Sequence, residues 1–482
     1  MLAIFFKFNR VWSVRNFDLI CLIFLTPGLL LIASGNTNTG YVWLFCVQGV
    51  LVVRLLLDNI MVRRPLLEPN LSWEGLSFAC FFLVFFLIAA LLVHRGERVD
   101  TVNTLRLEQI LTARHIHDGI GMNPDSLTIP QSEWDNMPPG FRPFIVLTER
   151  ANLAFAPPSP IQHEIIQKGQ QANAEMDTNA GTEDATPPMD HSEITEGLTP
   201  PVLSPSETLP IDTAPVEIES EELASIEPAP ADSAAQNPEL STWLLILTLI
   251  IAGHLVIVFQ FAYIGYRHFG RLQTGIACAA LYLFHPYSAQ MIGRLDHIIP
   301  TALLLWSVLA YRRPFFAGLG IGAAAALVWY PFWLIPLWCS FYWQKGWIRF
   351  LSGTATALLV FAVFLLFSLP EWGTFREQLI HMAGATAFLV FNQQPVGFWS
   401  LDDIYYRMPI LALFFVICFG ALFVPSHKHL ATLLCGSALL MLSVQFFQLY
   451  QGGLYLSWYL PLLILTIFRP NLEDRTARTV VV

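Results

Sequence analysis

Long apolar runs with almost no charged residues recur along the chain, and they constrain its fold more than any other feature. Residues 75–94 read GLSFACFFLVFFLIAALLVH, without a single Lys, Arg, Asp or Glu. A helix of about 20 such residues spans the hydrocarbon core of a bilayer, which is about 30 Å thick. Apolar residues make up 55% of the chain and charged residues only 13%, too few to build a water-facing surface. The sequence therefore predicts a polytopic membrane protein.

Twelve apolar runs are candidates for membrane-spanning helices, so the expected fold class is an all-α transmembrane helical bundle of about 12 spans. Within it, Trp329-Tyr330-Pro331 predicts a break between two short or re-entrant pieces, because proline interrupts a helix. Arg54 and Asp58 lie four residues apart on the second span and are expected to form a structural ion pair. The predicted spans cover residues 18–34, 40–58, 75–94, 241–264, 273–291, 297–311, 315–329, 331–344, 350–369, 408–424, 430–447 and 454–468.

Lys and Arg residues are unevenly distributed between alternate loops. With the N-terminus inside, the inner loops and tails hold fifteen of them, whereas the short outer loops hold three: Arg294, Arg376 and Arg407. Cytoplasmic loops of membrane proteins carry such an excess of positive charge. The sequence therefore predicts a multi-pass protein of a bacterial inner membrane, with both termini in the cytoplasm.

An acidic, proline-rich segment interrupts the apolar runs. Between residues 155 and 240 there are 17 Asp and Glu residues and one basic residue, Lys168. This composition cannot bury enough apolar surface to fold, so residues 156–240 are expected to be a disordered acidic extracytoplasmic linker. The remaining chain is only mildly basic, and no nucleic-acid partner is implied. The predicted organisation is a three-span unit (1–94), a surface-helix region (95–155), the linker (156–240), a nine-span unit (241–468) and a cytoplasmic tail (469–482).

The turn between two predicted spans, residues 285–297, concentrates polar chemistry at the outer membrane surface. Ionisable residues near a membrane are costly and are functional candidates by default. Arg294 could hold a phosphate and Asp296 a sugar hydroxyl, with His285 and His297 beside them. The alternative is that Arg294 and Asp296 pair with each other and merely cap two helices.

Asp100 directly follows the third span, at the rim of the bilayer, where a general base for a lipid-linked substrate has to lie. Interfacial charges also serve as simple anchors, so both interpretations remain open. His115, His117 and Asp118 form an H-x-H-D motif that could bind a divalent cation. The alternative is that they bind none, because alternate spacing places the two histidines on different sides of a helix. No cofactor is predicted beyond this open alternative of a divalent cation.

Aromatic residues stand beside carboxylates in two later outer segments. Asp402 and Asp403 lie close to several aromatic residues, and Tyr455 and Trp458 follow a glycine pair near the end of the chain. Both arrangements suit sugar binding. Trp and Tyr also form ordinary belts at membrane interfaces, which is the competing explanation.

The run from 270 to 338 resembles the core of the GT-C superfamily of integral-membrane glycosyltransferases. The matching pieces are FGRLQTGIA (269–277), HPYSAQMIGRLDH (285–297) and AGLGIGAAAALVWYPFWLIP (317–336), and SWYLPLL (457–463) resembles the closing motif of that family. Tyr330 falls in the Tyr-Pro element, where Val328-Trp329 replace the preceding lysine of the family. MVRRPLLEPNL (61–71) and IFRPNLEDR (467–475) also resemble a group of bacterial polytopic membrane proteins.

The resemblance implies an enzyme that transfers a sugar from a polyprenyl-phosphate donor to an acceptor on the extracytoplasmic face. In that reaction Asp100 would take the proton of the acceptor. Arg294 would offset charge on the departing lipid phosphate, and Asp296 and His297 would position donor or acceptor. The implied partners are membrane lipid and a polyprenyl-phosphate-linked sugar.

Two other classes of function remain open. A transporter or flippase could use the same outer cavity together with His254, which lies in the middle of the fourth span. A non-catalytic scaffold, or a degenerate GT-C relative, could present residues 156–238 to an extracytoplasmic protein partner.

Overall fold

The computed structural model describes residues 1–8, 11–61, 69–93, 238–368, 376, 379, 396–401, 404–423 and 428–482. Several sequence-based predictions fall outside these ranges: the base Asp100, the pair Asp402 and Asp403, the surface-helix region 95–155 and nearly all of the acidic linker.

Helices are the dominant elements of the described ranges. In chain order they are α1 (Leu2–Phe5), α2 (Val14–Ala33), α3 (Thr37–Leu56), α4 (Trp73–Val93), α5 (Pro238–Arg267), α6 (Leu272–Phe284), α7 (Pro286–Gln290), α8 (Leu295–Leu309), α9 (Pro314–Leu327), α10 (Leu334–Phe341), α11 (Trp347–Ser368), α12 (Arg407–Phe423), α13 (Leu430–Val444), α14 (Leu460–Phe468) and α15 (Ala477–Val480). Two short strands, β1 (Val396–Gly397) and β2 (Tyr450–Gly452), pair in parallel.

The helices have the length and composition of a membrane protein. Five of them, α2, α3, α4, α5 and α11, contain apolar stretches of 20 or 21 residues that are long enough to cross a bilayer. Five shorter apolar helices, α6, α8, α9, α12 and α13, accompany them. The chain is therefore an all-α membrane protein, while the number of about 12 spans stays a prediction.

Prolines and glycines divide two of the predicted spans and mark the predicted break between two others. The run 273–291 splits into α6 and α7 at Pro286, which has no N–H to donate and begins the second helix. The Tyr330–Trp333 3₁₀ turn separates α9 from α10, as the sequence predicts. The run 454–468 is helical only from Leu460, because Gly453 has a φ of +92° and a 3₁₀ turn precedes α14.

Small residues allow α9 and α11 to approach each other through their backbones. A Cβ atom at Gly353 would lie 2.0 Å from the carbonyl oxygen of Phe315, and one at Gly318 would lie 2.1 Å from that of Phe350. Neither contact could be relieved by moving a side chain. This is the small-residue packing that brings membrane helices together in the absence of a hydrophobic driving force.

The helices at the N-terminus pack directly against the later part of the chain. Arg54 on α3 forms a bidentate ion pair with Asp18 on α2 and donates from Nη1 to Asp58 at 2.8 Å. Arg469, directly after α14, donates to the other oxygen of Asp58 at 2.6 Å. We call these four residues the Arg54 cluster. The predicted Arg54–Asp58 pair is thus present as part of a larger network that joins α2 and α3 to the end of α14.

The C-terminal segment also packs against the bundle. The side chains of Leu472, Ala477 and Val480 are buried. Lys345 donates to the carbonyl oxygen of Val481 at 2.7 Å. The predicted tail, residues 469–482, is therefore part of the packed structure, because its small apolar residues can cover the helix ends beside it.

Candidate functional site

Arg294 and Asp296 form the charged centre of the predicted turn. Arg294 precedes α8 and Asp296 lies in its first turn, where a carboxylate favours the helix N-terminus. The guanidinium contacts both carboxylate oxygens, with Nε 3.2 Å from Oδ1 and Nη2 2.8 Å from Oδ2. Their side chains keep 14% and 11% of their surface exposed, so the pair lies at an accessible edge.

His297 completes this centre from the buried side. Its Nε2 lies 3.6 Å from Oδ2 of Asp296, just beyond hydrogen-bond distance. Its Nδ1 is hydrogen-bonded to the hydroxyl of Tyr287, and the two rings lie parallel with centroids 5.9 Å apart. We call Arg294, Asp296 and His297 the Arg294 cluster.

A column of buried aromatic rings leads away from the Arg294 cluster. Trp458 stacks with Tyr330, at a centroid distance of 3.6 Å, and with Tyr455, at a centroid distance of 4.4 Å. The ring centroids of Tyr455 and His297 lie 5.2 Å apart. The guanidinium carbon of Arg294 lies over the Tyr455 ring, 5.6 Å from its centroid. We call Tyr330, Trp458 and Tyr455 the aromatic column. It brings together parts of the chain that are far apart in sequence.

Several polar atoms in and beside the column are buried and have no hydrogen-bond partner in the ranges that the structure describes. They are the Tyr330 hydroxyl, Nε1 of Trp458 and Nε2 of His297. Buried polar groups are normally paired, and an unpaired one costs about 1–3 kcal/mol. Unpaired polar atoms next to an ion cluster are able to form hydrogen bonds with a polar ligand.

Two buried glutamines fix the segment that carries Tyr455 and Trp458. The side-chain oxygen of Gln445 accepts hydrogen bonds from the backbone N–H groups of Gly453 and Tyr455, both at 3.2 Å. Gln48 on α3 donates to the carbonyl oxygen of Gly453 at 2.7 Å and to the hydroxyl of Tyr459 at 3.2 Å. The N-terminal helices therefore take part in positioning the aromatic column.

His285, a predicted substrate-binding residue, has both ring nitrogens engaged by backbone. Its Nδ1 accepts from the N–H of Tyr287 at 3.2 Å, which caps α7, and its Nε2 lies 3.2 Å from the carbonyl oxygen of Leu22. The side chain is buried. In this arrangement His285 joins α2 to the turn, and it does not face the exposed edge of the Arg294 cluster.

His254, on which the transporter alternative depends, packs among apolar side chains of α4 and α5. Its Nε2 lies 3.2 Å from the carbonyl oxygen of Ile292 and its Nδ1 lies 3.4 Å from the hydroxyl of Tyr282. These contacts suit a histidine that links α5 to the turn.

The structure thus brings six of the predicted site residues into one neighbourhood and separates a seventh. Arg294, Asp296, His297, Tyr330, Tyr455 and Trp458 form a continuous set of contacts. His285 approaches this set through Tyr287, which is not among the residues predicted from the sequence. The signal available for Tyr287 was its place after His285-Pro286, at the start of a helix that ends beside Arg294.

No candidate metal site is present within the ranges described above. They contain no group of three or more His, Cys, Asp or Glu side chains that could hold a metal ion. The His115 motif lies outside them.

Comparisons with family models, with curated proteins and with solved structures give no match in any of the three. The functional argument for this membrane protein therefore depends on the chemistry of the Arg294 cluster and the aromatic column.

Proposed function

We propose that this protein is a membrane glycosyltransferase that uses a polyprenyl-phosphate-linked sugar. The observation that supports this proposal best is the placement of the Arg294 cluster against the aromatic column, whose neighbourhood contains unpaired buried polar atoms. A sugar offers hydroxyl groups to carboxylates and apolar ring faces to aromatic side chains. The same substrate carries a phosphate that suits a guanidinium.

In the proposed reaction, the hydroxyl oxygen of the acceptor attacks the anomeric carbon of the sugar. The bond between that carbon and the phosphate oxygen breaks, and the lipid phosphate leaves with its electron pair. Asp100 takes the proton of the acceptor hydroxyl. Arg294 stabilises the charge that develops on the phosphate, and Asp296 and His297 position the sugar or acceptor through its hydroxyl groups.

The ion pair itself sets a condition on this role. Arg294 and Asp296 together carry no net charge, and both side chains are partly exposed. A phosphate therefore gains most from Arg294 if the substrate also engages the carboxylate through a hydroxyl group. This requirement favours a substrate that carries both groups, as a sugar phosphate does.

The proposed location is a bacterial inner membrane, with both termini in the cytoplasm. Arg312 and Arg469, basic residues of the kind that mark a cytoplasmic face, follow the ends of α8 and α14, whereas Arg294 and Trp458 precede the beginnings of the same two helices. The Arg294 cluster would then face the extracytoplasmic side, where lipid-linked sugars are used.

Transfer assays on membranes test this proposal. Membranes containing the wild-type chain should move a radiolabelled sugar from a polyprenyl-phosphate donor to an added hydroxyl acceptor, whereas membranes with Asp296→Ala or Asp100→Ala should not. Asp474→Ala is the matched control, because this carboxylate is exposed and lies far along the chain from the cluster. Transfer that survives in both Asp296→Ala and Asp100→Ala would contradict the proposal.

A further inference from the structure

The Arg294 cluster is linked to the N-terminal helices through a chain of hydrogen bonds that passes through Tyr287. His285 contacts the backbone of Leu22 with one ring nitrogen and receives the Tyr287 N–H with the other. The Tyr287 hydroxyl then contacts Nδ1 of His297, whose Nε2 faces Asp296. Tyr287 is therefore fixed at both its backbone and its side chain, and both Tyr287 and His297 are almost completely buried, with 3% and 2% of their surface exposed.

The direction of the hydrogen bond between Tyr287 and His297 determines where the imidazole carries its proton. A neutral imidazole has one N–H donor and one bare nitrogen acceptor. If Nδ1 carried the proton, the lone pair of Nε2 would point at the carboxylate of Asp296 at 3.6 Å, which places two electron-rich atoms opposite each other. If the Tyr287 hydroxyl donates to Nδ1, the proton lies on Nε2 and faces the carboxylate favourably.

We propose that Tyr287 is a positioning residue that fixes His297 with its proton on Nε2, directed at Asp296. The carboxylate then lies between two donors, the guanidinium of Arg294 on one side and the imidazole N–H on the other. This arrangement keeps Asp296 ionised and oriented, so that its exposed edge can accept a hydrogen bond from a hydroxyl group. The role of Asp296 toward a substrate hydroxyl rests on the proposed function, whereas the protonation pattern of His297 does not.

Solid-state ¹⁵N NMR of the full-length chain in lipid nanodiscs tests this directly, with histidine as the only labelled residue type. Protonated and bare ring nitrogens give well-separated ¹⁵N signals, and a His297→Gln variant identifies the signals of His297 by their loss. We expect the wild-type His297 to show a protonated Nε2 and a bare Nδ1. A wild-type His297 with its proton on Nδ1 would overturn the proposal.

Two variants separate the effect of Tyr287 from other causes. In Tyr287→Phe, the fraction of His297 that carries its proton on Nε2 should fall, because the hydroxyl that donates to Nδ1 is lost and only the carboxylate of Asp296 still favours this pattern. In Tyr330→Phe, which removes a buried hydroxyl without a hydrogen bond to His297, the wild-type pattern should remain. A Tyr287→Phe spectrum identical to the wild type would overturn the proposal.

Asp296→Asn provides a further test that does not depend on how well Tyr287→Phe folds. If Tyr287 determines the pattern, His297 keeps its proton on Nε2 in Asp296→Asn. If the pattern is lost there while Tyr287 is intact, the carboxylate determines it and the proposal is wrong. Because these spectra need no substrate, a failed transfer assay would contradict the proposed function and leave the assignment of Tyr287 standing.

Discussion

Two ion clusters in the described part of the protein differ in how far their central charges are buried and paired. In the Arg54 cluster, Asp18 is fully buried and Arg54 is 2% exposed, and the oxygens of Asp18 and Asp58 each accept from a guanidinium. In the Arg294 cluster, Arg294 and Asp296 are partly exposed and Nε2 of His297 has no hydrogen-bond partner in the ranges that the structure describes.

The difference separates an ion cluster that holds helices together from one that is suited to a ligand. The central charges of the Arg54 cluster, those of Arg54, Asp18 and Asp58, are buried and paired with one another, while Arg469 at its edge is 19% exposed. The role of this network is to join α2 and α3 to the end of α14. A partly exposed pair with unpaired polar neighbours can accept further hydrogen bonds. Charged residues within a membrane are functional candidates by default. Whether their polar atoms are already paired within the protein shows which of the two clusters should be assayed for ligand binding.

Removing the central cation of the Arg54 cluster should have the largest effect on stability. Arg54→Leu leaves Asp18 and Asp58 buried without their shared partner, and breaking a buried pair in this way costs about 3–5 kcal/mol. We expect the free energy of unfolding in detergent to fall by about this amount. Arg475→Leu is the matched control, because its pair with Asp474 is exposed and should contribute at most about 1 kcal/mol. Equal losses in the two variants would contradict the distinction.

Gln48 should have the next largest effect, because it connects α3 to the segment of the aromatic column. Gln48→Ala removes its hydrogen bonds to Gly453 and Tyr459 and should lower the free energy of unfolding by about 1–3 kcal/mol. The mutation should also weaken donor binding, since Gly453 is close to Tyr455. Thr356→Ala, on an exposed part of α11, is the control, in which the free energy of unfolding and donor binding should both stay unchanged. A stable Gln48→Ala variant would show that α3 does not position the column.

Asp296→Asn should destabilise the protein less than Arg54→Leu does. The pair with Arg294 is partly exposed, so its loss should cost about 1–2 kcal/mol. Donor binding should fall by about tenfold or more, because a hydrogen bond to a charged group is worth about 1.5–3 kcal/mol. Unfolding in detergent and binding of a labelled donor measure the two effects on the same sample. A stability loss as large as that of Arg54→Leu would contradict the distinction between a structural cluster and a ligand-binding cluster.

Tyr330→Phe should have the smallest effect on stability, and it should be neutral or favourable. The Tyr330 hydroxyl is buried without a hydrogen bond in the described structure, so its removal should raise the free energy of unfolding by up to about 1 kcal/mol. If the hydroxyl serves a ligand, donor binding should fall in the same variant. A stability loss of several kcal/mol would mean that the hydroxyl is paired within the protein.

The sequence predicts the apolar helices of an all-α membrane protein because apolar length and charge are local properties, while the number of about 12 spans stays a prediction. The break at Tyr330-Pro331 and the Arg54–Asp58 pair also follow from local spacing, and both are present in the structure. The other partners of Arg54 cannot be predicted in this way. Asp18 lies 36 residues before it, and the contact between Asp58 and Arg469 spans 411 residues.

The candidate site shows the same limit. Arg294, Asp296 and His297 lie within four positions and were recognisable as a group. Their relation to Tyr455 depends on how α8 packs beside the last outer segment, which a single sequence does not reveal. Tyr287 was missed because a buried tyrosine becomes informative only when its hydroxyl is seen to contact a histidine.

Donor binding tests the central claim, that the Arg294 cluster and not the Arg54 cluster is a ligand site, most directly. Binding of a labelled polyprenyl-phosphate sugar would be measured on the wild-type chain in nanodiscs, together with Asp296→Asn and with Asp474→Asn as the control. We predict saturable binding to the wild type, unchanged binding to Asp474→Asn and a loss of about tenfold or more in Asp296→Asn. Equal binding to all three, or no saturable binding to the wild type, would contradict the claim.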